Sequence, residues 1–78
     1  MTTRIQNEKK FGNWDDLPSG GQVYRLDVYG RLGWRARYCK EVDAQESTTR
    51  FWQQIYDEDS NLVEVHDKYP VDTGHRKV

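Results

Sequence analysis

A mainly β domain built on a single antiparallel sheet is what this sequence predicts, from three observations. Period-2 alternation runs through residues 23–29 and 32–42. Aromatic and β-branched residues crowd both arms of Thr48–Asp67 around the polar turn Asp57-Glu58-Asp59-Ser60-Asn61. No stretch carries the i, i+3, i+4 apolar stripe of a three-turn helix. The strands follow one another closely enough for neighbours to pair. The expected architecture is therefore a four-stranded antiparallel meander over residues 23–67, with an irregular N-terminal arm (1–22) and a polar C-terminal tail (68–78), all in one small domain.

The arm reads as irregular because MTTRIQNEKK is polar and FGNWDDLPSGGQ clusters chain breakers around two aromatics. Phe11 and Trp14 are expected to pack over one end of the sheet, with Lys9 and Lys10 in water. A short helical turn over Trp14–Leu17, capped by Asn13, is compatible with the local sequence. In the first strand, Tyr24, Leu26 and Val28 alternate with Arg25, Asp27 and Tyr29. Gly30 and Gly33 supply the turn, after which Trp34, Ala36 and Tyr38 face opposite to Arg35, Arg37 and Cys39. In the third strand Phe51 and Ile55 lie on one side and Trp52 and Tyr56 on the other, so both sides need cover, and the arm or a second subunit is expected over the Trp52 side. The fourth strand, 61–67, is expected to turn Val63 and Val65 inward and Leu62, Glu64 and His66 outward. The tail after Pro70 is expected to be only partly ordered.

A chain of 78 residues buries only about 60% of the surface it exposes unfolded, so its core is small and rests on ten aromatics, three Trp, five Tyr and two Phe. Net charge is -1, which by itself calls for neither nucleic acid nor membrane. The charge is uneven, however. Residues 22–40 hold five basic side chains (Arg25, Arg31, Arg35, Arg37, Lys40) against Asp27, while 57–67 hold five acids and no Lys or Arg. Either the two hairpins neutralise each other across the sheet, or a basic face is left for an anionic partner. One cysteine excludes an intramolecular disulfide framework, and no apolar run reaches membrane-spanning length. A cytoplasmic, reduced protein is the expectation.

Motifs for chemistry are sparse. His66 and His75 lie nine residues apart with Asp67 and Asp72 nearby. They are candidates for moving a proton, but neither strand nor helix spacing brings them together, so surface positions are expected. Asp57–Asn61 opens like a calcium loop, then places Leu62 where Gly is required and Lys68 where a bidentate Glu is required, so it reads as a hairpin turn. No cofactor or metal is expected. Cys39 has basic neighbours but no base at a useful offset, and is expected to be a small buried hydrophobe. Arg25, Tyr29, Arg35 and Arg37 share one strand face, where guanidinium groups beside an aromatic ring suit phosphates and bases of single-stranded RNA.

The segment YDEDSNLVEVHDKYPVDTGH, Tyr56 to His75, resembles small prokaryotic domains of unknown function. It is also loosely similar to the TumE-type toxins of toxin–antitoxin modules, compact β-rich proteins with an acidic turn before a strand and a histidine-rich end. The resemblance implies an RNA-directed activity of the toxin kind, with His66 and His75 as its weak catalytic candidates. Weighed against the residues, the preferred expectation is a non-catalytic interaction module. It would act through a sheet face or edge, with Trp52 and Tyr56 as contact residues and a second copy or another protein as partner. RNA binding or cleavage on the Arg25/Arg35/Arg37 face is the alternative.

Overall fold

The computed structural model describes residues 3–78. Its elements run α1 (Arg4–Phe11), β1 (Asn13–Asp16), β2 (Gln22–Tyr29), a single 3₁₀ turn (Arg31–Gly33), β3 (Arg35–Val42), β4 (Thr48–Tyr56), β5 (Leu62–Tyr69) and β6 (Gly74–Lys77). The strands form one antiparallel meander in chain order, β1 to β6. The expected meander is present, but with six strands where four were expected. The arm contributes β1, which pairs Trp14 with Tyr24. The tail contributes β6, which pairs with β5.

The arm is also not irregular. Thr3 caps α1 by accepting from the Gln6 backbone N–H, while the Gln6 side chain accepts from the Thr3 backbone. Gly12, at φ 79°, closes the other end. An eight-residue helix is too short to persist alone, and α1 survives because one side of it is buried: Phe11 is 3% and Asn7 0% exposed. Lys9 and Lys10 are solvent-exposed, as expected. The expected turn over Trp14–Leu17 is replaced by a strand, because Asn13–Asp16 finds the free edge of β2 and backbone pairing outweighs a local cap.

Register divides the side chains between two faces. Tyr24, Leu26, Val28, Ala36, Tyr38, Phe51 and Ile55 share the face on which α1 sits, whereas Arg25, Asp27, Tyr29, Arg35, Arg37, Cys39, Trp52 and Tyr56 share the far face. The alternation read from the first three strands therefore holds. The arm does not cover the Trp52 side; α1 packs on the opposite face, against β1 and β2. The compact core is Phe11, Tyr24 and Val42, with Leu26, Tyr38 and Phe51 around it, and Phe11 and Tyr24 stack with ring centroids 5.7 Å apart. In β5, the register shifts by a bulge between Ile55 and Tyr56 and again between Phe51 and Trp52. Parity changes at a bulge. As a result Glu64 and His66 lie on the α1 side and Val65 on the far face, the reverse of the expected assignment.

Helix and sheet are joined by a buried carboxylate. Glu46, in the β3–β4 turn at φ 63°, is 8% exposed. Its oxygens accept from Arg4 Nε (2.9 Å), Asn7 Nδ2 (2.9 Å) and Tyr24 Oη (2.9 Å). Burial alone would raise the Glu46 carboxyl, but the hydrogen bonds from Asn7, Arg4 and Tyr24 hold it below the ordinary glutamate value. Burial, then the Glu46 contact, pushes the Tyr24 hydroxyl up to about 12. Beside this network Gly21 runs against β3, where a Cβ would lie 2.1 Å from the Val42 carbonyl oxygen.

Two predictions arise. Glu46→Ala removes the acceptor shared by Arg4, Asn7 and Tyr24, leaves the buried Asn7 amide without it, and should cost about 3 kcal/mol in urea unfolding; a loss near zero would mean that the network does not seat the helix. Because the Glu46 carboxyl is depressed in the fold, its stabilisation is complete above the unfolded value near 4.5 and disappears as pH falls through the lower folded value. Thermal stability should hold between about pH 7 and 5, then decline below about pH 4.5, with a shallower acid limb in Glu46→Gln.

Candidate active site on the helix-side face

On the far face, the predicted basic cluster is largely neutralised by its neighbours. Arg37 makes a bidentate pair with Asp27 (2.8 and 3.2 Å), and Arg25 pairs with Asp15 of β1. The hydrogen bond from Arg37 holds the Asp27 carboxyl below the usual aspartate range, and Arg25 does the same for Asp15. Arg35 donates to Ser60 Oγ and lies over the Tyr56 ring at 4.4 Å, while Tyr29 is 75% exposed. The compensating acids thus come from adjacent strands. The acidic β4–β5 hairpin makes other pairs: Asp67 with Arg50 (2.8 Å) and Arg76 (2.6 Å), and Glu58 with the Trp34 indole. The expected contact residues lie beneath cations, Trp52 under Arg50 at 4.2 Å and Tyr56 under Arg35 and Arg37.

The α1-side face is different. The helix covers its β1–β2 end, and a row of side chains crosses the remainder in register: Leu26, Tyr38, Gln53, His66 and His75, from β2 to β6. The two histidines, expected to stay apart, are direct cross-strand partners, with ring centroids 4.6 Å apart and planes tilted by 58°. The hairpin that joins them turns through Lys68–Thr73, where the Thr73 backbone N–H donates to the Asp67 carbonyl and the Tyr69–Pro70 bond is cis. Pro70 and Gly74 in a polar stretch were the available turn signal, and the tail's polarity obscured the strand beyond it.

Each imidazole has a carboxylate. His66 Nε2 lies 2.6 Å from Asp72 Oδ1, and Asp72 also accepts from the Gly74 backbone N–H. That backbone hydrogen bond, then the one from His66, holds the Asp72 carboxyl below its usual range. His66 Nδ1 is buried with no hydrogen-bond partner among the described residues. We therefore assign the ring hydrogen to Nε2, since a hydrogen on Nδ1 would be an unpaired buried donor. His75 is more accessible: its side chain is 49% exposed, and Nδ1 is 3.9 Å from Glu64 Oε2. This leaves Nε2 as the ring atom turned away from that carboxylate.

Around the pair stand Gln53, whose Nε2 donates to Tyr38 Oη (3.3 Å), Lys68, whose ammonium lies 5.2 Å from the centroid of Tyr38, and Lys77, opposite Glu64 in β6. Sequence reading missed Tyr38, Gln53, Glu64, Lys68 and Lys77 as site residues because cross-strand register brings them together. Among the described residues no cluster of three or more His, Cys, Asp or Glu is disposed to hold a metal ion. The Asp57–Asn61 turn is closed on itself, Asp57 Oδ1 accepting from the backbone N–H groups of Asp59 and Asn61. Cys39 is buried on the far face, and burial pushes its thiol up. Among the described residues no helix is long and apolar enough to cross a membrane. No protein-family model matches the chain, and neither does any curated protein or solved structure.

A double-mutant cycle on Arg37→Ala and Asp27→Ala should return a coupling of about 0.5 to 1 kcal/mol that shrinks with added salt. No coupling would mean that Arg37 is open to an external anion.

Proposed function

We propose that the protein is a small acid–base ribonuclease working from the His75 end of the helix-side row. The observation that supports this reading best is a half-exposed imidazole and a carboxylate set on one sheet face, His75 Nδ1 3.9 Å from Glu64 Oε2, with His66 packed beneath. Such a pair offers a proton acceptor and a proton donor but no nucleophile, and the cysteine is buried on the other face. A substrate that carries its own nucleophile fits this chemistry, and RNA does so in its 2′-hydroxyl.

In this reading Glu64 takes the proton of the 2′-hydroxyl. The 2′-oxygen then bonds to phosphorus while the bond from phosphorus to the 5′-oxygen breaks. His75, entering as imidazolium, gives its Nε2 proton to the departing 5′-oxygen, leaving a 2′,3′-cyclic phosphate and a 5′-hydroxyl. Lys68 and Lys77 flank the histidines on the same face and would meet the phosphate charge. Asp72 holds the His66 ring, and His66 is the positioning residue packed beneath His75. The toxin resemblance of Tyr56–His75 agrees with this activity, though it places the chemistry away from the arginine face.

A second reading, an interaction module acting through the sheet, is favoured by a separate observation. On the helix-side face Val28 and Trp34 are 48% and 40% exposed and adjoin Ala36 and Ile55, and Leu32 in the neighbouring turn is 88% exposed.

The first reading is tested with a fluorophore- and quencher-labelled single-stranded RNA in the presence of a chelator. Wild type should cleave it. His75→Gln and Glu64→Gln should each lower kcat/KM by about 10² or more while keeping the native circular dichroism spectrum. A 2′-deoxy residue at the scissile position should block the reaction. Absence of cleavage, or cleavage undiminished in His75→Gln, would remove the proposal in favour of the interaction module.

A further inference from the structure

Next to the histidine row, on the same face, lies an open groove of about 540 Å³ lined by Lys40, Glu46, Ser47, Thr48, Phe51, Lys68 and Tyr69, with the Glu46 oxygens already engaged by Arg4, Asn7 and Tyr24. We infer that this groove is a nucleotide subsite, stacking one base against Phe51 and Tyr69 and setting its phosphate on Lys68; the inference rests on the ribonuclease reading of the row and names where its substrate is held.

Three features carry it. The groove combines aromatic surface with cations: Lys68 Nζ lies 6.0 Å from the Phe51 ring centroid and 5.2 Å from that of Tyr38, and Tyr69 is 49% exposed. Stacking on an aromatic with a neighbouring cation on the backbone is how single strands are held irrespective of sequence. The groove is also contiguous with the catalytic row, because Lys68 touches Tyr38, Tyr38 accepts from Gln53, and Gln53 is the register partner of His66. Finally, Lys68 stands two residues along β5 from His66, which at the rise of a strand is about 7 Å, one step of an extended nucleotide chain. A strand whose phosphate rests on Lys68 continues from the groove toward the histidine row. Ser47, in the β3–β4 connection, and Thr48, the first residue of β4, also line the groove and offer hydroxyls to a base edge.

The probe is adenosine 3′-monophosphate, which holds no phosphodiester and reads binding without cleavage. In an amide NMR titration, shifts should centre on Phe51, Lys68 and Tyr69, and inorganic phosphate at the same concentration should leave Phe51 and Tyr69 unmoved. Tyr69→Ala and Lys68→Gln should each weaken nucleotide binding about tenfold. In the cleavage assay Tyr69→Ala should raise KM with kcat nearly unchanged. RNA cleavage by the wild type with no nucleotide shifts in the groove would overturn the subsite and leave the ribonuclease reading standing. Groove shifts lost in Tyr69→Ala, without any cleavage, would support the subsite and sink the ribonuclease instead.

Discussion

The fold depends on one buried carboxylate. Glu46 sits between β3 and β4 with its backbone in the left-handed region and binds Arg4 and Asn7 of the helix and Tyr24 of β2. A charge with little water around it is tolerable only when several donors meet it. Those donors come from elements far apart in sequence, so satisfying Glu46 fixes where α1 can lie. The tie is reinforced where the one Tyr24 hydroxyl hydrogen is shared between Glu46 and the Gln22 side-chain oxygen, Gln22 donates to Asp16 of β1, and Lys40 donates to Asn7. Phe11 then seals the apolar side of the same junction. A short helix that water would melt becomes the roof of one end of the sheet.

That placement divides the molecule. With α1 held over β1 and β2, no other described helix covers the β3–β6 part of the same face, and His75, half exposed, remains approachable there, while Gln53 and His66 are largely covered by their neighbours. The far face needs no roof, since its charges alternate in sign along neighbouring strands and two of its aromatics, Trp52 and Tyr56, lie under guanidinium groups. A domain this small cannot build a deep pocket, and the geometry suggests a different solution: chemistry spread along one sheet row, with a shallow groove beside it.

Strand alternation was legible wherever apolar and polar residues strictly interchange. The facing of residues 24–29, 34–39 and 51–56 follows from the sequence for that reason. The termini were not legible. β1 and β6 are four residues each and mostly polar, and their existence depends on the free edges of β2 and β5 rather than on any pattern of their own. The cap of α1 was written in Thr3, Gln6 and Gly12, but the helix lacks an apolar stripe, because Asn7, one of its two buried residues, is polar and answers Glu46, 39 residues away. The site was hidden for the same reason. His66 and His75 meet across a hairpin whose strands could be aligned only once Gly74 was recognised as the start of a strand, and two bulges in the β4–β5 pairing decide which face they share.

The account turns on the two imidazoles lying against each other with the ring hydrogen of His66 on Nε2. Long-range ¹⁵N–¹H correlation spectra of histidine-labelled protein near neutral pH, with cross-ring nuclear Overhauser effects, read both features at once. The account predicts the Nε2–H tautomer for His66 and Overhauser contacts between the rings of His66 and His75. Two averaged tautomers with no contact between the rings would contradict it, because the tail would then not return to the sheet and the proposed site would not exist.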